Sequence, residues 1–136
     1  IIGDVDLWNY LKVNSKELDL DYIVKSSKKL KLKIVNKDPY EKNIRKKLNF
    51  GHTTGHAIES YLLESNTPTL HGFAIAKGMI IESFIAKKEN QLSENCFQEI
   101  KTVLTNKFKF YINFKIDSEA IIKLMLTDKK LSLIHI

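Results

Sequence analysis

Three histidines, His52, His56 and His71, fall within a stretch of twenty residues. Imidazole ligates metals and carries protons near neutral pH, so a cluster of three invites both chemistries. His52 and His56 stand at i, i+4, which on a helix places them on one face, a turn apart. Both can ligate one ion, or one can ligate while the other acts on a substrate. Gly51 and Gly55 flank them. Glycine within a helix costs about 1 kcal/mol relative to alanine, so its use here predicts close approach of a ligand or another backbone. A zinc-protease helix carries Glu directly after its first His; Thr53 stands there instead, and that general base is missing. His71, beside Gly72, reads as a loop-to-helix junction, where a side chain can face a cleft. Catalytic zinc takes three protein ligands plus water, so the histidines leave a carboxylate to be found. Glu59, one turn beyond His56, is one source, and a residue ahead of Ile1 is another.

A polar run precedes the histidines: Lys31, Asp38, Glu41, Arg45 and Asn49. Glu41, Arg45 and Asn49 repeat at i, i+4 and would share one face if helical. Arg45 offers a planar fork suited to carboxylate or phosphate, and Asn49 an amide donor. The plainer reading is a salt-bridge ladder on a solvated helix, worth about 0.5 kcal/mol per pair. Spacing alone favours that second reading.

The elements that must hold these residues are helical almost throughout. Leu20, Ile23, Val24, Ser27 and Leu30 follow the 3.6-residue period, with Asp19 or Ser15 as the cap, and Asp38-Pro39 ends that helix. A helix follows over Gly51 to Leu63, then a loop at Asn66-Thr67-Pro68-Thr69. Gly72 to Lys88 predicts a well-buried helix through Phe73, Ala76, Ile80, Ile81, Phe84 and Ile85. Ser93 caps a helix bearing Phe97, Ile100, Leu104 and Phe108, and Asp117 caps one bearing Ile121, Leu124 and Met125. Leu32 to Val35 and Phe108 to Phe114 read as strand-like, but neither has hairpin chemistry around it. The prediction is an all-α helical bundle.

With 136 residues, 22 Lys+Arg against 16 Asp+Glu and a net charge of +6, the chain has the size and composition of one globular domain. Lysine clusters at 25–33 and 42–47 come without zinc-finger spacing or an RNA-binding aromatic signature, so they read as solvated helix faces rather than a nucleic-acid surface, with a basic wall facing a small anionic substrate as the alternative. Apolar runs such as Gly78 to Ile81 fall far short of the ~20 residues of a membrane span. A single cysteine, Cys96, fits a reducing compartment. The opening Ile1-Ile2-Gly3-Asp4 has neither a basic leader nor a methionine, and is read as the start of a fragment. The uncharged end, Leu131-Ser132-Leu133-Ile134-His135-Ile136, resembles the translation of a transposon end used in sequencing libraries. Residues 131–136 are therefore taken as a non-native tail, with no role for His135; an ordinary C-terminal strand is the alternative.

Taken together, Arg45-Lys46-Lys47-Leu48-Asn49-Phe50-Gly51-His52-Thr53-Thr54-Gly55-His56-Ala57-Ile58-Glu59 resembles the signature of the 3-dehydroquinate synthases. Leu70-His71-Gly72 with Ala74-Ile75-Ala76-Lys77-Gly78-Met79 resembles the family's second signature, and Lys31, Asp38, Glu41 and Asp128-Lys129-Lys130 extend the likeness. The resemblance implies that residues 1–130 form the helical C-terminal domain of a two-domain enzyme, behind an α/β nucleotide-binding domain. It implies a cytoplasmic shikimate-pathway lyase, a homodimer, that uses NAD and a divalent metal, Zn²⁺ or Co²⁺. The substrate would be 3-deoxy-D-arabino-heptulosonate 7-phosphate and the products 3-dehydroquinate and phosphate. His52 and His71 would be metal ligands, with a glutamate upstream of Ile1 as the third. His56 and Glu41 would be catalytic; Lys31, Arg45, Asn49, His56 and Lys129 or Lys130 would bind substrate.

The chain departs from the family pattern at Phe73, where Glu is common. It also lacks a Gly-rich turn after a strand, so residues 1–136 alone are expected to be inactive. Related sugar-phosphate cyclases, a metal-dependent alcohol dehydrogenase of the same architecture, and a non-catalytic helical interaction module are the competing readings.

Overall fold

A computed structural model describes residues 3–13, 18–108 and 116–127. Among them are six α-helices and no strand: α1 (Val5–Lys12), α2 (Leu20–Lys37), α3 (His52–Glu64), α4 (His71–Lys88), α5 (Glu94–Phe108) and α6 (Ser118–Thr127). A 3-10 turn covers Ile44–Asn49. No described helix is long and apolar enough to cross a membrane. The chain divides after Asn49 into two compact units.

In the first unit, Asp4 and Asp19 start the two helices by accepting the amides of Leu7 and Tyr22 at 2.9 and 3.0 Å. Each cap satisfies a backbone donor that the first helical turn leaves without a partner. Ser15, the other candidate cap, lies outside the described residues. The Leu32 to Val35 strand reading is corrected: these residues lie inside α2, which runs to Lys37. A cap at Asp19 and a stop at Asp38-Pro39 bracket one uninterrupted helix. Its buried residue is Ile34, while Leu32 faces solvent. The other strand-like stretch lies outside the described residues beyond Phe108.

In the second unit, α3 packs against α4 and α6, and α5 packs on α4. Its core gathers Ala57, Ile58, Leu62, Ala74 and Ile121, with Tyr61, Ile81, Leu124 and Met125 around them. Asp117 caps α6 by accepting the Glu119 amide, and Ser93 caps α5 by accepting that of Cys96. The apolar stripe expected to be buried on α4 is corrected in part: Ala76 is buried and Ile80 and Ile81 are half-buried. Phe73, Phe84 and Ile85 are exposed, and the buried positions are Ala74, Ala76, Gly78 and Ser83. Backbone contact with α3 explains the choice, because only small side chains fit where two helices touch. A Cβ on Gly78 would lie 2.2 Å from the Gly51 carbonyl oxygen and 2.7 Å from the Gly55 nitrogen. The larger apolar side chains are left on the flanks.

Candidate functional site

The histidines converge within the second unit. α3 begins at His52 and α4 at His71, so both are first-turn residues, while His56 follows one turn into α3. Ring centroids lie 5.5 Å apart for His52 and His56, 5.6 Å for His56 and His71, and 6.1 Å for His52 and His71. The i, i+4 face on α3 and the junction at His71 are as the spacing predicts. His71 Nδ1 lies 2.9 Å from Glu59 Oε2 on α3, and His52 Nδ1 lies 3.3 Å from the Phe50 carbonyl.

Why α3 starts where it does is a matter of backbone chemistry. Its cap, Gly51, has φ +81° and no side chain to accept the first-turn amides. Glu82 supplies the acceptor from α4: its carboxylate receives the Gly51 amide at 2.7 Å and the Thr54 amide at 3.3 Å. An anion here also complements the positive end of the helix dipole. His52 lies between the two amides held in this way. Sequence reasoning missed Glu82; the available signal was a helix start with glycine at the cap position and no local acceptor. Phe73 packs its ring 6.0 Å from that of Phe108.

The first unit holds a different cluster. Asp38 is buried and accepts three backbone amides: Lys42 at 2.9 Å, Asn43 at 2.7 Å and Arg45 at 3.1 Å. Burial acts to raise its pKa, but the three N–H donors and the Arg45 charge outweigh it and hold the carboxyl below its ordinary value. Glu41 sits before the 3-10 turn with φ +56°, a left-handed conformation costly for a residue with a Cβ. The single helical face expected for Glu41, Arg45 and Asn49 is therefore corrected, because the chain turns at Glu41 and tightens to 3-10. The three still meet. Asn49 Nδ2 donates to Glu41 Oε1, and Arg45 Nε lies 3.6 Å from Glu41 Oε2. Arg45 Nη1 also donates to the Pro39 carbonyl at 2.7 Å. Lys31 is exposed on α2. Lys129 and Lys130 lie outside the described residues, as does 131–136.

The donors are right in kind for a divalent metal of the zinc class. An ion about 2.0–2.1 Å from one nitrogen of each of two imidazoles keeps their centroids within roughly 6 Å, and His52 and His71 stand at that limit. Among the described residues no three His, Cys, Asp or Glu side chains form a set able to hold an ion. Glu59 does not make the set, since its carboxylate is on His71.

Residues 1–131 match the family described as 3-dehydroquinate synthase C-terminal. The chain is 35% identical to a 3-dehydroquinate synthase of Thermodesulfovibrio yellowstonii, across 96% of this chain and 38% of that protein. It is 37% identical to one from a Thermoanaerobacter species, with the same coverage. It is also 38% identical to a 2-epi-valiolone synthase of Actinosynnema mirum, across 64% of this chain and 24% of that protein. The chain thus spans between a quarter and two fifths of these relatives. No solved structure gives a significant match.

Proposed function

The chain belongs to the 3-dehydroquinate synthase C-terminal family, and on that premise we propose that it is the metal- and substrate-binding part of a 3-dehydroquinate synthase. The reaction closes 3-deoxy-D-arabino-heptulosonate 7-phosphate into 3-dehydroquinate and releases phosphate, a carbon–oxygen lyase step of the shikimate pathway. The observation that carries this reading is the gathering of His52, His56 and His71, with every pair of rings 5.5–6.1 Å apart. Cytoplasmic location and homodimeric assembly of the complete enzyme go with it.

When bound, a divalent ion supplies Lewis acidity at a substrate oxygen and NAD supplies a hydride acceptor. His52 and His71 would hold the ion, with a glutamate from outside the described residues as the third ligand. His56 takes and returns a proton at a ring nitrogen. Arg45 presents its guanidinium fork to a carboxylate or phosphate, and Asn49 its amide N–H. Glu41 accepts from Asn49 and faces Arg45, so it fixes the direction of both donors. Lys31, and Lys129 or Lys130, add positive charge toward a doubly anionic substrate. A related sugar-phosphate cyclase is the second reading, favoured by the likeness to a 2-epi-valiolone synthase.

One graft separates the two. Residues 1–131 replace the matching part of the Thermodesulfovibrio yellowstonii enzyme, and phosphate release is followed with NAD and zinc. Release from the heptulosonate phosphate, abolished by His52→Ala, is the expected result. Release only from a sugar phosphate without the carboxylate would transfer the assignment to the second reading. Release from neither, with the parent enzyme active, would remove both. The 136-residue chain alone should release none.

A further inference from the structure

Glu59 is a polar residue on α3 that the reaction as described does not use, and its carboxylate meets His71 Nδ1 at 2.9 Å across the α3–α4 contact. We propose that Glu59 is a positioning residue: it holds the proton of His71 on Nδ1 and so makes Nε2 the nitrogen that binds the ion. The inference rests on His71 being a metal ligand.

A carboxylate has no proton to donate to an imidazole nitrogen, so the hydrogen bond requires Nδ1–H and leaves the lone pair on Nε2. The same contact fixes the ring plane. His71 is the first residue of α4 and its side chain is half exposed, so burial alone does not fix its ring. An isolated imidazole prefers neither orientation strongly, and each misplaced state subtracts from the population able to bind. The Phe50 carbonyl near His52 Nδ1 selects the same tautomer on α3. Outer partners of this kind are worth about 10–100-fold in metal affinity. A carboxylate this close to His71 also raises the electron density of the ring, which strengthens the bond from Nε2.

The test uses the full 136-residue chain labelled with ¹⁵N at histidine, at mildly alkaline pH. Ring nitrogen shifts report the His71 tautomer without metal, and zinc added to the same samples reports affinity even when it is weak. In the parent chain His71 should be the Nδ1–H tautomer. Glu59→Ala should shift it toward the Nε2–H form and weaken zinc binding about 10–100-fold. Glu59→Gln, whose side-chain oxygen still accepts, should retain the tautomer and most of the affinity, and so separates positioning from loss of fold. An unchanged tautomer in Glu59→Ala overturns the inference. So does a changed tautomer with unchanged zinc affinity, provided His71→Ala weakens binding. If His71→Ala leaves zinc affinity intact, it is the ligand assignment itself that fails.

Discussion

Between Asp38 and Asn49 one carboxylate collects backbone amides from a segment with little regular structure, whereas between His52 and Lys88 two helices touch backbone to backbone. In the first region a single side chain replaces the hydrogen bonds that a helix would supply. In the second, the helix interiors satisfy themselves, Glu82 of one helix serves the start of the other, and glycine sets their distance. The difference predicts where each region is fragile. A region held by one acceptor yields to loss of that acceptor, and a region held by close contact yields to added volume.

The largest effect should come from Gly78→Ala. Its Cβ would stand 2.2 Å from the Gly51 carbonyl oxygen, so α3 and α4 must separate. Overpacking of this kind typically costs 1–3 kcal/mol, and backbone on both sides puts this position at about the upper figure. Gly72→Ala is the contrasting variant, because nothing lies within 4 Å of the added carbon. It should leave stability unchanged or slightly raised. Urea denaturation of both variants checks the pair; equal midpoints would mean that α3 and α4 are not in backbone contact.

Next is Asp38, which tests the first region. Its folded pKa lies below its ordinary value. A depressed carboxyl contributes stability above its unfolded pKa, about 3.9, and that contribution is lost as pH falls through the lower folded value. The parent chain should therefore exceed Asp38→Asn by a constant margin at neutral pH, and the margin should shrink below about pH 4. Amide exchange at Lys42, Asn43 and Arg45 should quicken in the variant, since Asn keeps one acceptor where Asp has two. A margin that does not change with pH would show that the charge of Asp38 is not what gathers those amides.

Glu82→Ala is expected to cost about 1 kcal/mol, the usual loss for an N-cap. Faster amide exchange should be confined to the first turn of α3, at Gly51 and Thr54. Spread of the exchange through α4 would mean that Glu82 serves the helix pair rather than the helix start.

The same contrast governs how much could be seen in the sequence. Periodicity exposed the helices, and i, i+4 spacing exposed the shared face of His52 and His56, because both are local properties of a regular backbone. The register at His71 was legible from its neighbour Gly72 and the preceding loop. The buried face of α4 was legible only in part. Hydrophobicity favoured Phe73, Phe84 and Ile85, but the contact distance set by Gly51 and Gly78 belongs to two helices at once and selects small residues instead. Glu82 was hidden for the same reason, its partners being 31 and 28 residues away. In the first region the i, i+4 spacing of Glu41, Arg45 and Asn49 correctly implied that they meet. It gave the wrong backbone for the meeting, because Asp38 draws the chain into a turn that no periodicity records.

The smallest effect on stability, and the sharpest test of what the first region is for, is Arg45→Ala. Arg45 is partly exposed; its Nε is 3.6 Å from Glu41, beyond good hydrogen-bond distance, and its firm bond is to the Pro39 carbonyl. An ion pair so exposed contributes about 0–1 kcal/mol, and the amide of residue 45 still reaches Asp38 after the side chain is removed. Urea midpoints should therefore fall by less than for Glu82→Ala. If Arg45 is instead kept for its fork, the loss should appear in the grafted enzyme as weaker use of the heptulosonate phosphate. Arg45→Lys, which keeps the charge without the two-pronged geometry, should recover only part of it. A large fall in stability with unaltered substrate use would return Arg45 to the role of a salt-bridge strut. A near-silent midpoint with impaired substrate use would show that the region around Asp38 exists to present a cation, and that its own stability never depended on that cation.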